Sequence, residues 1–427
     1  MAGLLLVQVA VILIVARLCG LLLARFGQPP VIGEMAAGIL LGPIVFGAAL
    51  PDLHASLFPV ASLPALSALS TLGLVLFMFV IGVELRAPEG ARAQVLAATR
   101  VAGLSAVVPF GLAVAIAPLL HARMVPEGVG MWTFALYLGV ALSVTAFPVL
   151  ARILKDRGLQ QTRIGRVSLS AAALLDVAAW VALALLVALA AGSDYSGLMR
   201  TLAGLALLLV VIFAGLKPLF AWLLRRHAAD GTLSGTVLAA LLVGLFSCAA
   251  ATEWLNVHAV FGAFLFGACL PRDDRLMRCL VERIEHLALV LLMPVFFALA
   301  GMDTTAEAFT GAGLGALLLV LAVAVVGKVS GGGLGAWLSG YSVRDSVAVG
   351  SLMNARGMIE LIVMKVGLDA GIIGPDIFTM LLVMAILTTV FTGPLLTLSL
   401  GRRGVAAAVE SPGGPGAPPD GVVRQGP

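Results

Sequence analysis

Charged residues are scarce in this chain of 427 residues, since Asp, Glu, Lys and Arg together make up 11% of it while 61% of it is hydrophobic. A soluble protein of this length needs a larger polar surface. The composition therefore excludes a soluble multidomain protein and indicates a polytopic helical membrane protein. We expect membrane lipid as its surroundings and no nucleic-acid partner.

Cysteine is also scarce. The four cysteines have neither disulfide nor metal-site spacing and lie within or beside apolar stretches, at Cys19, Cys248, Cys269 and Cys279. They are interpreted as small buried residues, and no cofactor is expected. Glycine, by contrast, is abundant, with 49 residues. Small residues allow helices to approach closely in lipid.

Long apolar runs are the dominant pattern, and hydropathy divides them into thirteen predicted membrane spans. Their approximate limits are 3–25, 30–48, 66–86, 96–120, 131–152, 165–191, 198–222, 233–254, 257–271, 285–302, 312–339, 345–368 and 376–400. An odd number of spans places the two termini on opposite sides of the membrane.

Basic residues in the loops test this count, because Lys and Arg concentrate on the cytoplasmic side. With the N-terminus outside, the outer segments hold only Arg123, Arg200 and, near the outer end of a span, Lys365. The cytoplasmic segments hold Arg25, Arg86, Arg92, Arg100, Arg152, Lys155, Arg157, Arg163, Arg166, Arg225, Arg226, Arg272, Arg275, Arg278, Arg283, Arg344, Arg402 and Arg403. The pattern predicts a multi-pass protein of the inner (plasma) membrane with a cytoplasmic C-terminus. Residues 1–400 form the transmembrane domain, and the Pro- and Gly-rich segment 401–427 is a disordered cytoplasmic tail.

One acid interrupts the sixth span near its middle. Asp176 lies among alanines and leucines, where a carboxylate costs several kcal/mol or more unless it is paired, hydrated or protonated. Ionisable residues at this depth usually mark functional sites. No second aspartate lies at mid-span, as an intramembrane aspartyl protease would require, so an enzyme is not expected.

The fifth span contains a candidate helix break. Pro148 removes one backbone hydrogen bond and disfavours helical conformation at Phe147, while Ser143 and Thr145 supply hydroxyl groups. A break would free carbonyl oxygens that can coordinate a cation. A kinked packing helix is the alternative interpretation.

Polar residues recur in the eleventh and twelfth spans. Lys328 lies too deep to reach water easily, although a snorkelling lysine is the alternative. Asn354, Arg356 and Glu360 cluster around Gly357, a natural point for helix unwinding. Arg356 and Glu360 are spaced to share a helix face and are interpreted as a structural ion pair.

The direction of the two interrupted spans adds a further clue. The fifth runs from outside to inside and the twelfth from inside to outside, which is typical of inverted repeats with a binding site between broken helices. Half-helix ends carry partial charges that need compensation. Asp176 and Lys328 supply one charge of each sign.

Seven motifs in order over residues 28–395 resemble the cation:proton antiporter-2 branch of the monovalent cation/proton antiporters. The motifs are GEMAAGILLGP at 33–43, LFMFVIGVE at 76–84, SVTAFP at 143–148, AAALLDVAAW at 171–180, HAVFGAF at 258–264, MPVFFALAG at 293–301 and MNARGMIELIV at 353–363. Each motif is weak alone, and their order makes the resemblance specific.

The resemblance implies an all-α homodimer in which two crossed, discontinuous helices lie in a mobile core. The core is expected at 96–191 and 312–400, a dimerisation part at 3–86 and 233–302, and a linker helix at 198–222. By the resemblance, Asp176 matches the ion-binding aspartate, Thr145 lies in the unwound crossing segment and Lys328 matches the core lysine.

One position departs from the family pattern. Many relatives carry a polar residue immediately before the key aspartate, whereas this chain has Leu175. A single carboxylate favours electroneutral one-for-one exchange of a proton for Na⁺ or K⁺. The resemblance implies that this exchange proceeds by an elevator-type movement and serves pH and cation homeostasis. The alternative is a component of a potassium efflux system that a separate cytoplasmic regulatory subunit gates.

Overall fold

The computed structural model describes residues 2–84, 92–191, 195–227, 234–255, 258–271 and 284–410, and all regular structure within these ranges is helical. The predicted all-α fold is confirmed. Eleven of the described helical segments are long and apolar enough to cross a membrane. The two remaining predicted spans are the ninth, a short apolar helix at Ala259–Cys269, and the twelfth, which is divided into two short helices.

The helices are numbered here in chain order. In the first half they are α1 (Ala2–Ala24), α2 (Pro30–Leu41), α3 (Pro51–Leu57), α4 (Leu63–Glu84), α5 (Arg92–Met124), α6 (Met131–Ser143), α7 (Phe147–Asp156) and α8 (Arg163–Ala191). In the second half they are α9 (Tyr195–Val210), α10 (Lys217–His227), α11 (Gly235–Trp254), α12 (Ala259–Cys269), α13 (Met293–Met302), α14 (Ala312–Trp337), α15 (Val343–Leu352), α16 (Met358–Asp369) and α17 (Pro375–Glu410).

The fifth span is discontinuous, as the sequence predicts. Helix α6 ends at Ser143, the chain is extended at Val144 and Ala146, and α7 begins at Phe147. Pro148 lies in the first turn of α7 rather than in the break itself. A first-turn N–H has no partner within a helix, so proline is tolerated there and its fixed φ favours the new start.

The twelfth span is discontinuous between Leu352 and Met358. Asn354 lies within this break, and Gly357 is the residue that precedes α16. A Cβ atom on Gly357 would come within 2.5 Å of Cγ2 of Val149 on α7. Gly357 therefore allows the start of α16 to approach α7 closely.

Two sets of helices pack mainly among themselves. The crossing group consists of α5–α8 and α14–α17, and the flanking group consists of α1, α2, α4 and α11–α13. In the flanking group Gly38 of α2 lies directly against the backbone of Phe297 in α13, and Gly301 lies against Gly38. The predicted roles of these regions in dimerisation and movement stay predictions.

The end of the chain differs in detail from the predicted boundary. Helix α17 continues past residue 400 to Glu410, and the rest of the predicted tail, 411–427, lies outside the described residues. The same holds for several arginines used in the topology argument, which are Arg86, Arg272, Arg275, Arg278 and Arg283.

Candidate functional site

The two breaks meet at one point in the crossing group. The backbone N–H of Ala146 donates to the carbonyl oxygen of Ala355 at 3.1 Å. The hydroxyl of Thr145 donates to the carbonyl oxygen of Met353 at 2.9 Å. These bonds replace part of the hydrogen bonding that each helix loses where it is interrupted. Residues of one break therefore serve as hydrogen-bond partners for residues of the other.

The side chain of Asp176, on α8, lies next to the first residue of α7. It is inside the crossing group, where Asp176 is only 2% exposed. Its Oδ2 accepts a hydrogen bond from the backbone N–H of Phe147 at 3.3 Å, and its Oδ1 has no hydrogen-bond partner in the described part of the chain. A helix N-terminus carries partial positive charge, which favours an anion at this position.

Lys328 belongs to α14, and its side chain lies at the opposite side of the same break, next to the end of α6. It is fully buried, and its Nζ donates to the carbonyl oxygen of Ser143 and, at 2.7 Å, to the hydroxyl of Thr145. A helix C-terminus carries partial negative charge, which an ammonium group compensates. Among the described residues Lys328 forms no ion pair with Asp176, so each charge serves its own half helix.

The two hydroxyl groups of the first break are already engaged with the protein. The Ser143 hydroxyl lies within hydrogen-bond distance of the carbonyl oxygens of Gly139, at 2.6 Å, and Ala106, at 2.9 Å. The Thr145 hydroxyl donates to Met353 and accepts from Lys328. Ser143 thus holds Lys328 through its backbone carbonyl rather than its hydroxyl. The predicted contact of both hydroxyls with a transported cation stays a prediction.

Arg356 and Glu360 form the ion pair that their spacing indicates, and both side chains are fully buried. The guanidinium group also donates to the carbonyl oxygens of Ala141, at 3.2 Å, and Leu142, at 2.8 Å. These carbonyls belong to the last turn of α6. Two cationic side chains, those of Lys328 and Arg356, therefore bind the end of α6, and the contact of Arg356 is one that the sequence alone did not reveal.

Uncharged groups of α17 form hydrogen bonds with the residues of the second break. The side-chain amide of Asn354 donates to the carbonyl oxygen of Thr388 at 3.1 Å. The hydroxyl of Thr389 accepts from the backbone N–H of Arg356 at 2.9 Å and lies at the same distance from its carbonyl oxygen. These threonines were missed by the sequence reasoning, and the only available signal is the Thr388-Thr389 pair within an apolar span.

The residue before Asp176 adds no polar group to the site. Leu175 is 4% exposed and belongs to an apolar cluster that includes Leu150 and Val167. Its side chain contributes packing, so Asp176 is the single carboxylate that α8 brings to the crossing.

Two cavities lie along the boundary between the crossing group and the flanking group. The Glu34 cavity, of about 320 Å³, is lined by Glu34 and Arg17 on one side and by Pro148 and Val149 on the other. Pro148 follows Phe147, whose backbone N–H binds Asp176, so this cavity ends close to the candidate site.

The second cavity, here called the Lys365 cavity, measures about 400 Å³ and is lined by Lys365, Asp369, Asp303 and His258 among others. Helix α4 contributes to both cavities from its opposite ends, with Phe77 and Val80 in the Glu34 cavity and Leu63 and Ser67 in the Lys365 cavity. The cavities therefore open towards opposite ends of the bundle.

A buried carboxylate at the crossing of two discontinuous helices defines a secondary transporter of the inverted-repeat class. The transmembrane sodium/hydrogen exchanger family matches residues 11–400, and the chain belongs to this family of monovalent cation:proton antiporters.

Three known proteins illustrate the similarity. The Na(+)/H(+) antiporter NhaS4 of Synechocystis sp. is 38% identical over 395 residues, which cover 92% of this chain and 96% of that protein. The K(+)/H(+) antiporter 1 of Saccharomyces cerevisiae is 34% identical over 432 residues, and the match spans 98% of this chain but 49% of the yeast protein. The structure of the sodium proton antiporter MjNhaP1 from Methanocaldococcus jannaschii shares the fold, with a TM-score of 0.64 at 14% identity, over 96% of this chain and all of that one.

Proposed function

We propose that this protein exchanges Na⁺ or K⁺ for protons at Asp176. The observation that carries the proposal is the state of its carboxylate, with Oδ2 bound to one backbone N–H and Oδ1 free of protein partners among the described residues. A proton or a partly dehydrated monovalent cation can neutralise this charge. They compete for the same group, so one displaces the other.

The other buried charges support a one-for-one exchange. Glu360 is paired with Arg356, and Lys328 is bound to Ser143 and Thr145. None of these three charges needs to change while Asp176 exchanges its ligand. One carboxylate that carries either one cation or one proton gives an electroneutral cycle.

The two cavities support an elevator-type movement. The Glu34 cavity approaches Asp176 from the end that holds Arg152, which the loop charges place in the cytoplasm, and the Lys365 cavity lies at the other end. If the crossing group slides along the flanking group once Asp176 is neutral, the site becomes accessible from each side in turn. A bare carboxylate opposes this step because of the cost of an unpaired charge in a poorly solvated environment.

The remaining assignments follow the family. We propose a homodimer in the cell's plasma membrane, with the N-terminus outside and the C-terminus in the cytoplasm, that contributes to pH and cation homeostasis. The names of the relatives include both sodium and potassium antiporters. Proton flux measured with each cation in turn distinguishes these two substrates.

The test uses purified protein in proteoliposomes that contain a pH-sensitive dye, with gradients of Na⁺, K⁺, Li⁺ or Rb⁺. Asp176→Asn is expected to abolish cation-dependent proton flux, because the amide keeps the shape but neither takes up a proton nor carries the charge that a cation neutralises. Asp52→Asn is the matched control, since Asp52 is an exposed residue of α3. Full flux in Asp176→Asn would overturn the proposal.

Competition also fixes the sign of the pH dependence. As the pH falls, protons occupy a larger fraction of the carboxylates, so the KM for the cation should rise, by about tenfold per pH unit once most are protonated. Clamping the membrane potential should leave the rate unchanged. A rate that follows the potential would reject electroneutral exchange, and a KM independent of pH would reject competition at one group.

A further inference from the structure

An ion pair connects the crossing group to the flanking group in the Lys365 cavity. Nζ of Lys365, on α16, lies 2.8 Å from Oδ2 of Asp303, which directly follows α13. The same Nζ lies 2.9 Å from Oδ1 of Asp369, one turn further along α16. One lysine is therefore shared between a carboxylate of its own helix and a carboxylate of the other group.

Asp303 is fixed to the flanking group. Its backbone N–H donates to the carbonyl oxygen of Leu299 at 3.2 Å, which continues the hydrogen bonding of α13. The backbone N–H of Thr305, in contrast, donates to the hydroxyl of Thr379 on α17 at 3.0 Å. The chain thus passes from the flanking group to the crossing group between Thr304 and Thr305, and Asp303 lies on the flanking side.

The two carboxylates respond differently to a relative movement of the groups. Lys365 and Asp369 share α16, so their distance is unchanged when the crossing group slides. Lys365 and Asp303 lie on different groups, and their distance changes with the slide. Of the two bonds that Lys365 makes, only the one to Asp303 can therefore favour one position of the crossing group over another.

The position that this bond favours is the one in the structure. The crossing-group residues that line the Lys365 cavity are Lys365 and Asp369, and Lys365 lies about 12 Å from Gly357 along α16, at about 1.5 Å per residue. The Glu34 cavity, in contrast, reaches Pro148, next to the residue that binds Asp176. The bond is thus present when the site is nearer to the Glu34 cavity.

We propose that Lys365 is a positioning residue of the transport cycle, which holds the site towards the Glu34 cavity through Asp303. The proposal rests on the exchange function and the elevator-type movement proposed above. Lys365 and Asp303 are 27% and 34% exposed, and a partly hydrated ion pair contributes a modest bias that the cycle can overcome. Asp369 keeps the ammonium group in place when the bond to Asp303 opens.

The test compares Asp303→Asn with Asp369→Asn in proteoliposomes of known orientation, with the cation supplied to either face. Both variants remove one carboxylate from the same lysine, but only Asp303→Asn removes the bond between the groups. Asp303→Asn is expected to raise the KM at the face of the Glu34 cavity and lower it at the other face, by about two- to fivefold each. Asp369→Asn should leave the ratio of the two values as in the unmodified protein.

A double variant separates a loss of the bond from a loss of folding. Lys365→Met should shift the two KM values in the same directions as Asp303→Asn, and Lys365→Met combined with Asp303→Asn should add little more, because the bond is already absent. Equal effects of Asp303→Asn and Asp369→Asn, or KM values that change in the same direction at both faces, would overturn the positioning role. If the unmodified protein shows no exchange at all, the proposed function fails, which is a separate result.

Discussion

The two interrupted spans are alike in topology but are stabilised by different chemistry. The break in the fifth span lies between charged side chains, with Asp176 at the start of α7 and Lys328 and Arg356 at the end of α6. The break in the twelfth span contains Arg356, whose charge is paired with Glu360, and its other hydrogen-bond partners are the uncharged residues Thr388 and Thr389 of α17.

This difference shows how inverted repeats can divide two tasks. A charged break responds to a proton or a cation, because neutralising one carboxylate changes the balance of charge around it. The second break has its one carboxylate, Glu360, already paired with Arg356 and its backbone bonded by neutral groups, so it can hold its geometry while the first break changes ligand. We therefore expect substitutions at the first break to affect transport and substitutions at the second to affect mainly stability.

The largest expected effect is that of Arg356→Met, because Arg356 belongs to both regions. The substitution leaves Glu360 buried without its cation and leaves the carbonyls of Ala141 and Leu142 without a donor. Removal of one partner of a buried ion pair destabilises a protein by about 3–5 kcal/mol. Thermal unfolding in detergent should show a large loss of stability.

The control for this variant is Arg356→Met combined with Glu360→Met. The double variant removes both charges, so it should be more stable than Arg356→Met alone. If the two variants unfold at the same temperature, the stability of this region does not depend on the compensation of Glu360.

A smaller effect is expected for Thr389→Val, which keeps the volume but removes the hydroxyl that bonds Arg356. An unsatisfied buried N–H costs about 1–3 kcal/mol. The melting temperature should fall, while the KM for the cation and its dependence on pH stay unchanged. A large change in the KM would show that the second break takes part in ligand binding, and it would remove the proposed division of tasks.

The smallest effect is expected for Ser143→Ala. Because Lys328 binds the carbonyl of Ser143, this substitution keeps that contact and removes only a hydroxyl that bonds carbonyls of α5 and α6. Flux should stay near that of the unmodified protein, with a loss of stability of about 1 kcal/mol.

Thr145→Val is the companion to this variant. It removes the bonds to both Met353 and Lys328, so it should reduce flux more than Ser143→Ala does. The reverse order would mean that the Ser143 hydroxyl, and not the Thr145 hydroxyl, contributes to the cation site.

Much of the fold could be predicted from hydropathy and backbone chemistry. Apolar runs predict the spans because only helices or closed barrels satisfy the backbone in lipid, and the residues around Pro148 and Gly357 mark both interruptions. Asp176 and Lys328 were found because an ionisable group at mid-membrane is costly. The sequence predicts the break at Pro148, whereas in the structure the break lies a few residues earlier, because proline suits the first turn of the following helix.

The partners of each side chain were decided by the tertiary structure alone. The sequence determined which spans break and which charges are buried, because these follow from local composition. It did not determine that Arg356 binds the end of α6 or that Lys365 reaches Asp303. Such contacts join residues far apart in the chain, and their geometry depends on how whole helices pack against one another.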